Sequence, residues 1–121
     1  MSVLISYRVC DLYTTTIDLM NVLYNSEWKQ EMDPNTSDDY YFRSIEHMHL
    51  KIMKDSEINS YPKGNSQLYD IGNRLMTIEN NLIGETETLP DAVTIRYLLE
   101  RTKNLITSLS SRSREYICVI C

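Results

Sequence analysis

Apolar residues recur at three- and four-residue steps in four stretches of this chain, a spacing typical of helices that bury one face. The third stretch, from Ser66 to Ile83, is the most regular of the four. The first is predicted to run as a helix from about Asp11 to Met32. The predicted buried stripes are Ile17, Met20, Tyr24 and Trp28, then Tyr41, Ile45, Met48 and Ile52, then Leu68, Ile71, Leu75, Ile78 and Leu82, and finally Ile95, Leu98, Thr102, Leu105 and Leu109.

Capping and turn residues separate these stretches. Ser37 precedes two aspartates and predicts the start of the second helix, since serine caps free N–H groups and acids favour the positive end of the helix dipole. Prolines in 33–37 and 61–65 predict breaks before and after that helix. Gly84 is a typical residue at a helix end, and the threonine and proline of 88–91 predict the start of the fourth helix.

The resulting fold class is all-α, a four-helix bundle of a single domain. We place the bundle at residues 1–113 and an apolar C-terminal tail at 114–121. Four serines between 108 and 113 predict that the fourth helix frays there. Both ends of the chain alternate in polarity, over 3–9 and 116–120, and resemble short strands that pair with each other. The first segment equally suits an extension of helix one, and we expect helix at the front and an extended tail at the back.

Charge and composition exclude several classes of function. The chain has 121 residues and a net charge of −5, with no visible basic face, so we expect no binding to nucleic acid. No apolar run approaches the roughly 20 residues of a membrane-spanning helix, and the N-terminus lacks the pattern of a secretory signal. Three cysteines are too few for a disulfide framework and indicate a reduced compartment, the cytoplasm or else the nucleus.

The last four residues, Cys118 to Cys121, match the pattern that protein prenyltransferases accept. Two arginines upstream, Arg112 and Arg114, would add attraction to anionic lipid. This pattern predicts lipidation at Cys118 and membrane contact through the C-terminal tail. The alternative is that the tail packs on the bundle and its cysteines act as small apolar side chains.

The remaining reactive side chains do not form a catalytic set. His47 and His49 point about 200° apart on a helix, so they cannot coordinate the same metal ion. His49 is expected beside the buried stripe and His47 in solvent. A histidine phosphotransfer module is an alternative function for a four-helix domain, although Lys51 and Met53 would crowd the two imidazoles. We expect no enzyme, no cofactor and no metal.

Tyrosine is strongly favoured over phenylalanine, with nine against one. Tyrosine buries a large ring and keeps a polar tip, which suits interfaces. The predicted interaction residues flank the first loop, where they form either an exposed aromatic ridge at one end of the bundle or a plug for its core: Tyr24, Trp28, Tyr40, Tyr41 and Phe42.

The sequence therefore predicts a non-enzymatic adaptor that docks onto a protein partner or associates with itself as a homodimer. Its excess of Ile, Asn, Tyr and Met over Ala and Gly is typical of AT-rich genomes, such as those of many large DNA viruses, and suggests a viral protein acting on a host partner. A prenylated peripheral membrane protein and a phosphotransfer module are the alternatives.

Overall fold

A computed structural model describes residues 6–33, 35–55, 66–83 and 92–120, with the backbone alone over 110–120. These residues form four helices and no strand: α1 (Tyr7–Tyr24), α2 (Asp38–Lys54), α3 (Ser66–Ile83) and α4 (Ala92–Ile120). The predicted all-α four-helix bundle is confirmed.

Hydrogen bonds at both ends of α1 and α2 show that these two helices run parallel. Ser6 caps α1, its hydroxyl accepting from the Val9 N–H at 3.3 Å, and its own N–H donates to Asp38 Oδ1 at the start of α2 (2.8 Å). At the other end, the Tyr24 hydroxyl donates to the Lys51 carbonyl (3.1 Å). The connection over 25–37 therefore returns along the length of α1 before α2 begins.

Ion pairs fix the directions of α3 and α4. Arg74 pairs with Asp18, and Arg8 donates to the Asn81 carbonyl (3.4 Å), so α3 runs antiparallel to α1. Glu79 pairs with Lys103, near the middle of α4. Leu82, one turn after Glu79, shares a cleft with residues one turn before Lys103, so α4 is antiparallel to α3. Hence α1, α2 and α4 point one way and α3 the other.

The core draws on all four helices, and α2 and α3 lie on opposite sides of it. The predicted buried stripes of α2 and α3 are buried throughout. Tyr41, Leu75 and Leu98 are fully enclosed, as are Leu12 and Leu19 of α1. One continuous apolar cluster thus joins the four elements.

The predicted bounds hold for α3, at Ser66 and Ile83, and for the start of α2 after Ser37. The Ser37 hydroxyl itself makes no capping hydrogen bond, so that part of the prediction is wrong. Helix one was predicted to reach Met32, and this is wrong. It ends at Tyr24, because Asn25 adopts a left-handed conformation (φ 48°, ψ 44°) that asparagine tolerates better than most residues. The predicted turn at 61–65 and the residues around 84–91 lie outside the described residues.

The predictions for the two ends of the chain have different outcomes. Tyr7 to Val9 begin α1, so helix at the front is confirmed for the described part of that segment. The expected fraying at 108–113 and the extended tail at 116–120 are wrong, since the α4 backbone is helical to Ile120. Serine costs only about 0.5 kcal/mol relative to alanine inside a helix, too little by itself to stop one. The division into 1–113 and 114–121 stays a prediction.

Candidate interaction surface

The five aromatic residues predicted from the sequence lie at two opposite ends of the bundle. Tyr24 is the last residue of α1 and Trp28 follows in the connection, with ring centroids 6.0 Å apart. Both are half-buried against the core. The Trp28 indole N–H donates to the Ser26 hydroxyl (2.8 Å), and the Lys51 ammonium lies 5.4 Å from the centre of the Tyr24 ring.

The other three residues belong to the first turn of α2, at the opposite end. Tyr41 is fully buried and makes edge-to-face contacts with Tyr13 and Tyr40, at centroid distances of 4.9 and 5.4 Å. Phe42 is also buried, and Tyr40 is exposed. The prediction of a single exposed aromatic ridge is therefore wrong, and Tyr41 and Phe42 fill the end of the core instead. A role for any of the five in binding a protein stays a prediction.

The lipidation candidate, Cys118, lies in the last turn of the α4 backbone. Its side chain and Cys121 lie outside the described residues. Within the described part of the chain, no helix is both apolar and long enough to cross a bilayer. Lipidation at Cys118 stays a prediction.

The two histidines occupy the positions expected of them, His47 exposed and His49 buried. The Thr102 hydroxyl donates to the Leu98 carbonyl (2.8 Å), so the His49 Nε2–H donates to the Thr102 oxygen (2.7 Å). His49 Nδ1 is buried without a hydrogen-bond partner. Desolvation, reinforced by the nearby Arg101 charge, lowers the pKa of His49 to about 4. An enclosed imidazole of this kind cannot reach a phosphoryl donor.

The described side chains form no candidate metal site. In the described ranges, no group of three or more His, Cys, Asp and Glu side chains converges on one point. A surface feature therefore offers the more concrete site.

Four exposed apolar side chains gather on one side of the bundle, along α2 and α4. Met53 of α2 and Tyr97 of α4 are 62% and 54% exposed. Arg101 joins them, because its guanidinium lies 3.0 Å from the Tyr97 hydroxyl and 3.1 Å from the Met53 sulfur. Leu50 lies one turn before Met53 and Val93 one turn before Tyr97, and both are exposed.

We call this surface the α2/α4 face and define it by Glu46, Leu50 and Met53 of α2 and Val93, Tyr97 and Arg101 of α4. Glu46 and Met53 lie beside the buried stripe of α2, whereas Val93 and Tyr97 lie on the side of α4 that points away from the core. A cleft of about 580 Å³ continues it toward the start of α2, between Phe42, Glu46 and Thr94. Both helices are anchored in the core directly beneath it, through the His49–Thr102 hydrogen bond.

Two opposite charges on the α2/α4 face lack ion-pair partners among the described residues. Glu46 is exposed, and the polar contacts described for Arg101 are to a phenol and a thioether, with no carboxylate. Other charged residues do pair, as Asp39 does with Arg43 (3.1 Å) and Asp18 with Arg74. This face therefore combines apolar surface with unsatisfied charge.

Periodicity did not reveal this face, because it identifies the buried stripe and ignores the apolar residues outside it. Leu50, Val93 and Tyr97 stand outside the predicted stripes, and that excess of apolar residues was the available signal. Their meeting around Arg101 depends on the pairing of α2 with α4, which the sequence does not state.

Comparisons of this chain with protein-family models, with curated proteins and with solved structures find no match. The chemistry of the surface itself therefore carries the functional argument.

Proposed function

We propose that this chain is a non-enzymatic protein–protein interaction domain and that the α2/α4 face is its docking surface. The observation that supports this proposal is the Arg101-centred group of exposed apolar side chains, contributed by two helices. Scattered single apolar residues are normal on a protein surface, whereas a contiguous group with a polar rim is typical of a binding site.

The residue types on this face are those that interfaces favour. Tyrosine, methionine and arginine are enriched at the centres of protein interfaces, and tyrosine and arginine dominate their binding energy. Arg101 already stands between Tyr97 and Met53, so its side chain is partly ordered before a partner arrives. A partner carboxylate would give this guanidinium an ion pair that the described residues do not provide.

The framework of the face is also rigid. Leu98 and Thr102 on α4 and His49 on α2 are buried, and hydrogen bonds link all three. Two helices fixed to one core lose little freedom on binding, which lowers the entropic cost of association.

The chain offers a matched control surface on α3. Tyr69 and Met76 are 73% and 57% exposed, close to the values for Tyr97 and Met53, but they belong to a single helix and lie two turns apart. Substitutions at Tyr69 and Met76 therefore reproduce the change in chemistry without touching the α2/α4 face.

Site-specific photo-crosslinking tests the proposal. Benzoylphenylalanine replaces Tyr97 in one variant and Tyr69 in the other, and each is irradiated in the cells that express the chain. We expect a discrete cross-linked product at position 97, either to a second copy of the chain or to another protein, and none at position 69. Adding Met53→Glu should abolish the product from position 97, and adding Met76→Glu should leave it. Equal cross-linking from both positions, or none from position 97, would contradict the proposal.

A further inference from the structure

We infer that the partner seated on the α2/α4 face is a second copy of this chain, related by a twofold axis that sets α2 and α4 antiparallel to their counterparts. This inference rests on the proposed function and specifies its partner. It depends on where Glu46 and Arg101, which have no ion-pair partner among the described residues, lie relative to the apolar side chains between them.

Glu46 and Arg101 lie on opposite sides of the apolar centre. Glu46 is one turn before Leu50 on α2, and Arg101 reaches the Met53 sulfur, one turn after Leu50. Glu46 and Met53 are seven residues apart, which is about 10 Å along the helix axis. Along α2 the face is thus negative at Glu46 and positive where Arg101 reaches Met53, and Leu50 and Tyr97 lie between these two charges.

A twofold axis through the apolar centre makes this pattern complementary to itself. In an isologous pair, each residue of one copy meets the symmetry-related position of the other. Antiparallel placement brings Glu46 of each copy to Arg101 of the other and stacks Leu50 and Tyr97 at the centre. A parallel arrangement would bring like charges together, which is unfavourable.

The available area suits a dimer. A standard interface takes about 800 Å² from each partner. The described chain exposes 7968 Å² in total, so such an interface requires about a tenth of its surface.

Sedimentation equilibrium of the full chain at micromolar concentrations and low salt provides the first test. We expect a dimer for the wild type and for the control variant Tyr69→Glu/Met76→Glu, and a monomer for Met53→Glu/Tyr97→Glu. Circular dichroism of the three proteins shows whether each remains folded. A wild type that stays monomeric, or a dimer that persists in Met53→Glu/Tyr97→Glu, would overturn the inference.

Charge reversal tests the antiparallel arrangement without depending on the apolar residues. Glu46→Arg and Arg101→Glu should each weaken dimerisation by about tenfold or more, because each sets two like charges against one another. The combined variant Glu46→Arg/Arg101→Glu restores opposite charges across the twofold axis and should regain most of the affinity. Failure of the combined variant to recover, while it remains helical, would rule out this arrangement.

The two proposals can fail separately. If the purified chain is monomeric and position 97 cross-links to a different protein, the face is a docking surface and the second copy is excluded as its partner. If position 97 forms no cross-link of any kind, the proposed function fails together with the dimer.

Discussion

His49 places a titratable group where charge is strongly disfavoured. Its ring is enclosed between α2 and α4, and Nδ1, which carries the second proton of the cation, is buried without a described hydrogen-bond partner. Arg101 adds a second unfavourable effect on the cation. Folding therefore selects the neutral imidazole, whereas the unfolded chain binds a proton with the ordinary pKa of 6.5.

This difference predicts a loss of stability in mild acid. Because the folded pKa is about 4, the unfolded state binds more protons than the folded state between pH 6.5 and pH 4. The stabilisation of the folded state that depends on neutral His49 is complete above pH 6.5, and it is lost progressively as the pH falls toward 4. At pH 5 the free energy of unfolding should be about 2 kcal/mol below its value at pH 7 from this group. Urea unfolding at the two pH values measures it.

Substitution of each histidine separates this effect from the titration of carboxylates. His49→Gln retains a side-chain donor for Thr102 and should remove most of the pH dependence between 7 and 5. His47→Gln, at an exposed position two residues away, should retain it. Equal pH dependence in His49→Gln and the wild type would show that His49 is not its source.

Sequence periodicity predicted the burial of these polar residues better than their pairing. Thr102 was placed in the stripe of α4 and His49 beside that of α2, and both are buried. Their hydrogen bond depends on the relative rotation and axial position of two helices that are 53 residues apart at the point of contact. Local spacing carries no information on either quantity.

At the scale of elements, the connection between α1 and α2 determines the topology. Short connections give antiparallel neighbours, while parallel neighbours need a chain long enough to cross the bundle. The 18 residues of α1 rise about 27 Å, and 13 connecting residues reach about 43 Å when extended. Because α1 ends at Tyr24, the connection is long enough.

Specific contacts hold this crossover against α1 and α2. Asn21 receives a hydrogen bond from the Trp28 N–H, and the Cys10 thiol lies 3.2 Å from the Met32 sulfur. Near α2, the Asp33 N–H donates to the Tyr41 hydroxyl oxygen at 2.6 Å, and that hydroxyl lies 3.2 Å from the Asp33 carbonyl. Tyr41 therefore fixes the end of the crossover from within the core.

We predict that Tyr41→Phe lowers the free energy of unfolding by about 1–2 kcal/mol. The substitution keeps the buried ring but removes the hydroxyl that bonds the Asp33 N–H and lies 3.2 Å from its carbonyl, and each lost hydrogen bond costs about 0.5–1.5 kcal/mol. Tyr40→Phe is the matched control, since Tyr40 is exposed and has no described hydrogen bond through its hydroxyl. Chemical denaturation should show a shift for Tyr41→Phe and almost none for Tyr40→Phe. Equal values would mean that the Tyr41 hydroxyl does not hold the crossover.

Trp28 explains why the sequence overstated the length of α1. It follows Tyr24 by four residues, the spacing of a helical stripe, and was included in the helix for that reason. The ring does pack beside Tyr24, but it arrives there through the crossover, after the chain has turned at Asn25. The spacing of Trp28 therefore matched a helical stripe although the residue lies in the connection after α1. In α3 the apolar spacing is not continued by Glu85 or Thr86, and the bounds of that helix were predicted to the residue.

At the scale of the whole molecule, the α2–α4 pair contributes both to the core and to the exposed α2/α4 face. The hydrogen bond from His49 to Thr102 closes the core between α2 and α4, while Met53 and Tyr97 meet around Arg101 outside it. The outer face therefore exists only while the core is folded. Docking on the face should accordingly stabilise the entire bundle, since a partner that binds only the folded state shifts the unfolding equilibrium.

A single core further predicts that the bundle unfolds as one unit. Trp28 is the only tryptophan, so its fluorescence reports the crossover, and far-ultraviolet circular dichroism reports the helices. We expect both signals to change at the same urea concentration, because the crossover packs against the same apolar cluster that joins the four helices. Leu75 is fully buried on α3, and Leu75→Ala should lower the free energy of unfolding by about 3 kcal/mol. Both signals should then change at the same, lower urea concentration.

Met76→Ala is the control for that substitution, since the adjacent side chain is exposed and its truncation should cost less than about 0.5 kcal/mol. Leu75 lies on the helix opposite α2, and it shares no described hydrogen bond with the crossover. A shift of the tryptophan transition in Leu75→Ala therefore has to pass through the common core. If the helical signal moved while the Trp28 transition stayed in place, the crossover would be a separate unit of folding and the bundle would lose its two-state character.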